Sequence, residues 1–257
     1  PGMSLVRSKF ELDGVPGEVS EFLLSAWRSG TQKQYKVYLR KWRPTLPKNT
    51  VTWDTDVVLR YLKSLSPVSN ISIKLLTHKL TVLLLLLSGQ RMQSIHLLDI
   101  RNMDITASKV KFRIGDLVKQ TRPGVHVNEI VIKGYPPDRR LCIRKVLMTY
   151  LERTLEARGT EKRLLLTYGR PIHAASQATI RRWAIETLCE AGIDMSIFSP
   201  HSTRSASTSK ASKCVPIATI MGTAGWSRES TFRRFYEKPV DQTGSFGQAV
   251  LKNQSKE

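Results

Sequence analysis

Acidic residues are scarce in this chain. Asp and Glu number 21 against 41 Lys and Arg in 257 residues, a formal charge of +20 at pH 7. A globular chain this short of carboxylates is built to meet a polyanion, which puts nucleic acid ahead of a merely soluble or ribosomal-type basic protein. The cations are spread along the chain rather than gathered in one tail. Cysteine is also scarce. Cys142, Cys189 and Cys214 are odd in number, far apart and without a C-x-x-C, so neither a disulfide framework nor a zinc site is expected, and a reducing compartment fits. Long hydrophobic runs are missing as well. The longest, Leu80 to Leu87 (LTVLLLLL), falls well short of the roughly 20 residues of a membrane helix and reads as a fully buried helix instead. No signal peptide is visible, and no membrane partner is expected. The opening PGMSLV reads as the edge of a longer chain. There is no internal repeat and no low-complexity tract.

What the chain does have is 40% hydrophobic residues, enough for a core, and strong helical periodicity. Residues 1 to about 20 read as a loose lead-in. From Val19 to Trp42 the spacing predicts a helix, with Tyr35, Tyr38, Leu39 and Trp42 recurring between Lys33, Lys36, Arg40 and Lys41. RPTLPKNT (43–50) is a linker and the first domain boundary. Then come a helix over TWDTDVVLRYLKSL, with Thr55 as N-cap, and one from Ile73 to Leu87. Ser88-Gly89 breaks the latter, and Gln90-Arg91 opens a further helix, MQSIHLLDI. KVKFRIGD (109–116) and VNEIVI (127–132) alternate, and a basic loop joins them into a β-hairpin. Helices resume at about 140–157, 177–190 (capped by Ser176), 201–213, 215–223 and 228–236.

The polar residues that fall where these elements end form a pattern. Arg91 follows the buried leucine run, and Lys119 lies in the hairpin loop. His201 and Arg204 (HSTR) are three apart, on one face of a helix. Trp226 opens the stretch GWSRESTFRRFY, and Tyr236 closes it. Phosphoryl transfer without a metal wants this set of side chains. An attacking phenol produces a pentacoordinate phosphorane, and arginines match its non-bridging oxygens bidentately while staying protonated. Tyrosine titrates near pH ~10, so it needs nearby cations and a histidine to attack at neutrality. The leaving 5′-oxygen needs a proton, which a lysine supplies. Each residue also has a plainer reading: Tyr236 and Trp226 as core, His201 as a helix cap, and Arg91 as surface. Lys111, Arg113 and Arg122 rival Lys119. RSASTSKASK (204–213) reads as a phosphate-tracking helix face, and Arg233 and Arg234 either flank a phosphate or pair with acids. His78, His96, His126 and His173 make no metal pattern, and no metal or cofactor is expected.

The order Arg, Lys, His-x-x-Arg, Trp, Tyr resembles the catalytic domain of tyrosine recombinases, the phage-integrase family, whose chemistry type IB topoisomerases share. The resemblance covers about residues 52–240. It implies an α+β, mainly α fold, a tyrosine recombinase/type IB topoisomerase-like catalytic domain with a small antiparallel β-hairpin sheet. That domain is assigned to 49–240. A truncated N-terminal helical, core-binding-like segment and linker precede it (1–48), and a C-terminal tail follows (241–257). The resemblance further implies that Tyr236 is the nucleophile and forms a 3′-phosphotyrosyl link to double-stranded DNA. Arg91 and Arg204 would grip the phosphate, His201 would assist proton transfer, Lys119 would protonate the leaving oxygen, and Trp226 would support the phosphate. Family members act as tetramers on two duplexes, and the apolar piece Phe246 to Leu251 is a candidate for docking on a neighbour. The texture of SGQRMQSIHLLDI, HSTRSASTSKA and AGWSRESTFRRFY is most similar to the recombinases of DIRS-type retroelements, which implies integration of a mobile element and a nuclear location, or otherwise an intracellular one. The chain departs from the family at Ser94, where many members carry an acid. It departs again in the Trp226–Tyr236 spacing of ten where nine is usual, and in the short N-terminal part. A type IB topoisomerase-like enzyme and a catalytically inactive DNA-binding derivative are the alternatives.

Overall fold

The computed structural model describes residues 10, 13–25, 51–116, 129–226 and 229–238. The chain divides into two units, Pro1–Lys48 and Asn49–Glu257. In the first, the described part is a helix, α1 (Gly17–Ser25), whose Val19, Phe22 and Leu23 are exposed. The rest of the helix expected over 19–42, the linker 43–50, and the tail with Phe246 and Leu251 lie outside the described residues.

The second unit is built around one buried helix. Its order is α2 (Thr55–Ser64), α3 (Ile73–Ser88), α4 (Met92–His96), a 3-10 turn (Ile100–Asn102), β1 (Met103–Ile105), β2 (Lys109–Phe112), β3 (Ile130–Lys133), α5 (Ile143–Arg158), α6 (Gln177–Glu190), α7 (Ser202–Ala211), α8 (Ile217–Ala224) and α9 (Glu229–Phe235). The Leu80–Leu86 run makes α3 apolar nearly all round, and α5, α6, α7 and β3 pack about it. Even Thr77, His78, Lys79 and Thr81 are buried there, and Leu87 is the residue of the run that reaches solvent. Two of these polar groups are answered locally: Thr77 and Thr81 donate their hydroxyls to the carbonyls of Ile73 and Thr77. Lys79 crosses to the end of α2, where its ammonium donates to Leu65 O (2.7 Å) and Ser66 Oγ (3.1 Å). Burial pushes that ammonium down to about 8.

The hairpin expected from alternation is β2–β3, with Val110 opposite Ile132 and Phe112 opposite Ile130, all four buried on one face. A third antiparallel strand, β1, extends it on the β2 side. Its three residues are too few for alternation to announce it. Asp54, not Thr55, caps α2, because its carboxylate accepts from Asp56 N at 2.9 Å while Thr55 is already helical. Ser176 caps α6 as the sequence suggests, accepting from Thr179 N. Arg91 is the N-cap of α4 rather than part of it. The stretch 204–213 is not one open face: Lys213 is exposed and Ser207, Lys210, Ala211 and Ser212 are partly so. Arg204, Ser205, Ala206, Thr208 and Ser209 are buried, because α7 packs against both α3 and α2.

Candidate active site

The site forms where two helices end. α3 stops at Gly89 (φ 59°) and α8 at Gly225 (φ 69°), both in the left-handed conformation that glycine adopts without steric cost. A Cβ on Gly89 would also come within 3.4 Å of Thr208 Cγ2 on α7. These endings leave carbonyls pointing off both helices, and Arg204 takes one from each. Its Nη1 donates to Gly89 O (2.9 Å) and its Nη2 to Ala224 O (2.8 Å). A cation bridging two helix C-termini faces the negative end of both dipoles, which helps explain how a guanidinium can be 1% exposed with no carboxylate paired to it among the described residues. Gln90, next in the chain, ties the same two ends together by donating Nε2 to Thr223 O (2.6 Å).

The two bonds consume only part of the guanidinium's five donors. Nε is buried and has no hydrogen-bond partner among the described residues. The planar group lies over the indole of Trp226, 4.2 Å from its centroid, and 5.5 Å from the ring centroid of Tyr236. Trp226 is buried too, and its Nε1–H is a second buried donor without a partner among the described residues. Burial lowers the Arg204 pKa to about 10. The charge of nearby Arg91 pushes the same way, and Tyr236 acts in the opposite direction. The guanidinium is therefore still charged at neutral pH, and Arg91 adds a second positive group close by.

Tyr236 sits immediately after α9, half-buried, and its N–H closes a helical turn onto Phe232 O (2.8 Å). Its ring lies 4.6 Å from that of Trp226 and meets His201 edge-on at 6.5 Å. A small cluster of Ile220, Ala224, Trp226 and Phe232 supports the ring from below. His201, the N-cap residue of α7, is exposed. That end of α7 is fixed by Trp53, whose Nε1 donates to Ser202 Oγ (2.8 Å).

The structure thus brings His201, Arg204, Trp226 and Tyr236 around one aromatic ring, with Arg91 near enough for its charge to act on Arg204. Lys119 and Arg122 lie outside the described residues. The two rivals that are described are both engaged by Glu129: Lys111 Nζ at 2.6 Å and Arg113 Nε at 2.9 Å. Arg233 pairs with Glu229 on its own helix and with Glu237 just past the helix end. Ser94, standing where many recombinases carry an acid, is buried. Sequence reasoning missed Ser209, whose hydroxyl bonds to the main chain at Tyr236, and the carbonyls that hold Arg204. Main-chain partners leave no residue-type signature. Chemically, the arrangement places two buried N–H donors, Arg204 Nε and Trp226 Nε1, beside a phenol.

Residues 57–242 match the phage integrase family. Among curated proteins, none matches the chain. Among solved structures, the chain is similar to XerA recombinase, at 16% identity and TM-score 0.53, over 80% of this chain and 64% of that one. It is similar to XerH site-specific recombinase bound to difH substrate in a pre-cleavage complex, at 14% and 0.54, over 72% and 49%. A lambda integrase dimer bound to a COC' core site matches at 13% and 0.52, over 94% and 81%. At these identities the likeness is one of fold. The chain spans 64% and 49% of the lengths of the two Xer recombinases.

Proposed function

The chain belongs to the phage integrase family, and from that premise we propose that it is a site-specific tyrosine recombinase that cleaves and rejoins double-stranded DNA through a 3′-phosphotyrosyl intermediate. Members of this family are DNA strand-transferring enzymes, and solved relatives of like fold are recombinases bound to DNA substrates. The observation that carries the reading is the pair of buried donors without partners, Arg204 Nε and Trp226 Nε1, beside the ring of Tyr236. Buried donors are normally satisfied, so two of them beside a phenol fit a site made for an anionic acceptor.

In the proposed reaction the Tyr236 Oη attacks the scissile phosphorus. The phenolic proton leaves with help from His201, whose ring stands edge-on to Tyr236. Negative charge builds on the non-bridging oxygens, and Arg204 Nε, Arg91 and Trp226 Nε1 donate to them. Arg204 needs no reorganisation for this, because two helix ends already fix its plane. The 5′-oxygen departs with a proton from Lys119. The phosphotyrosyl link keeps the phosphodiester's energy, so the reverse attack by a 5′-hydroxyl rejoins DNA without ATP. The texture around Arg91, His201 and Tyr236 supports the recombinase of a mobile element of the DIRS type, acting in the nucleus as a tetramer on two duplexes.

Covalent capture tests the reading. Wild-type chain incubated with nicked duplexes in EDTA is expected to yield a DNA-linked band after denaturation, and Tyr236→Phe none, with salt-dependent DNA binding kept by both. A band in both contradicts the assignment. Exchange of strands between two substrates, as against relaxation alone, separates a recombinase from a type IB topoisomerase-like enzyme. Binding without any adduct, including on the element's own ends, would make the chain an inactive DNA-binding derivative.

A further inference from the structure

The hydroxyls of α7 follow one habit, with one exception. Ser202, Thr203, Ser205, Ser207 and Thr208 each donate to a carbonyl of α7 itself or of the turn leading into it. Ser209 does not. It is buried, its Oγ donates to Tyr236 O at 2.6 Å, and the same Oγ accepts from Lys238 N at 2.9 Å. One side chain therefore bonds the main chain on both sides of Glu237, immediately after the tyrosine.

We propose that Ser209 is a positioning residue that sets the Tyr236 main chain in register with the Arg204 pocket of its own chain. The inference rests on the reading of Tyr236 as nucleophile. α9 is a helix of seven residues, anchored through the small cluster with α8. A helix that short has little stability of its own. The Ser209 clamp fastens its exit to α7, the helix that also carries Arg204. Phosphate grip and nucleophile are then tied to one rigid element, α7. Attack geometry is sensitive to displacements of about 1 Å, which cost on the order of 100-fold in rate. Fixing the Tyr236 carbonyl and the Lys238 amide fixes the direction of the Tyr236 Cα–Cβ bond between His201 and Trp226.

The test uses the full chain and three substitutions, Ser209→Ala, Ser209→Cys and Ser209→Thr. Capture on nicked duplex is expected to slow roughly 10- to 100-fold in Ser209→Ala with DNA affinity unchanged, and to recover in Ser209→Thr, which keeps the hydroxyl. Amide hydrogen exchange over 236–238 is expected to quicken in Ser209→Ala while the body of α7 stays protected. Ser209→Cys fills the same space with a weak donor and is expected to follow Ser209→Ala, which keeps the test open if alanine does not fold. In a Tyr236→Phe background, cleavage by hydrogen peroxide as exogenous nucleophile is expected to be insensitive to Ser209→Ala, because the arginine pocket is intact. Wild-type capture and exchange in both Ser209→Ala and Ser209→Cys overturn the proposal. So does loss of peroxide cleavage in the double variant, which would assign Ser209 to the pocket itself. An adduct that survives in Tyr236→Phe overturns the reading of Tyr236 instead, and exchange over 236–238 still reports whether Ser209 holds that strand.

Discussion

Arg158 and Arg204 are both buried, at 7% and 1% exposure, and both donate to main-chain carbonyls near a helix C-terminus. Arg158 closes α5. It gives Nη1 to Arg163 O, and Nη2 to Leu164 O and Thr154 Oγ1. Among the described residues, none of its nitrogens stands out as buried without a partner. Arg204 makes two such bonds, and its Nε has no partner among the described residues, with the rings of Trp226 and Tyr236 near its guanidinium. Burial lowers the pKa of each. Burial and a shifted pKa therefore do not by themselves mark a functional cation. What sets Arg204 apart is donor capacity left over, among the described residues, after the scaffold is satisfied, with the rings of Trp226 and Tyr236 beside it.

The sharpest way to break this comparison is Arg204→Lys. Lysine keeps a charge but not the fork, so covalent capture should fall on the order of 100- to 1,000-fold, as for loss of a preorganised donor. The rate of adduct formation at saturating DNA reads this. Arg158→Met should do the opposite. Chemical denaturation should show a loss of about 3 kcal/mol, because buried carbonyls lose their donor, while the adduct rate per folded molecule stays at the wild-type value. If Arg158→Met slowed chemistry as much as Arg204→Lys, the distinction would fail. Trp226→Phe keeps the ring against Tyr236 and removes only the indole donor. Capture should drop about 10-fold, a difference of about 1.4 kcal/mol, with little change in melting temperature.

The smallest expected effect concerns a third buried cation, Lys79, which like Arg158 is spent on the scaffold. Its folded pKa of about 8 lies below the ordinary lysine value of 10.5. Below pH 8 both folded and unfolded chains hold the proton, and the buried ammonium carries its full cost. Between pH 8 and 10.5 the unfolded chain holds more protons, so this group's contribution to stability rises with pH. The stability of wild type minus that of Lys79→Met should therefore climb across that window, measured by denaturant titration at several pH values. A flat difference would show that the ammonium is better solvated than its burial implies.

Much of the catalytic fold was legible because its signals are local. The apolar run of α3, the alternation of β2 and β3, and the Ser176 cap are each written in adjacent residues. β1 was not, since three residues carry no period. The stretch 204–213 misled because serine, threonine and lysine read as solvent-facing. Their hydroxyls instead satisfy α7's own carbonyls, and that lets a polar-looking helix pack against α3. At the candidate site, order and type single out Arg91, His201, Arg204, Trp226 and Tyr236, and the last four lie in one cluster. They do not single out what anchors them, because Gly89 O, Ala224 O and the Tyr236 carbonyl are main-chain groups whose partners only the fold brings near.

The central claim is that Tyr236 carries the reacting oxygen beside an arginine held ready by two helix ends. The most direct measurement is to digest the trapped adduct with nuclease and protease and map the modified peptide by mass spectrometry. The account predicts a residual nucleotide on Tyr236, joined through a 3′-phosphate. A nucleotide on any other residue, or a 5′-phosphate linkage, would contradict it.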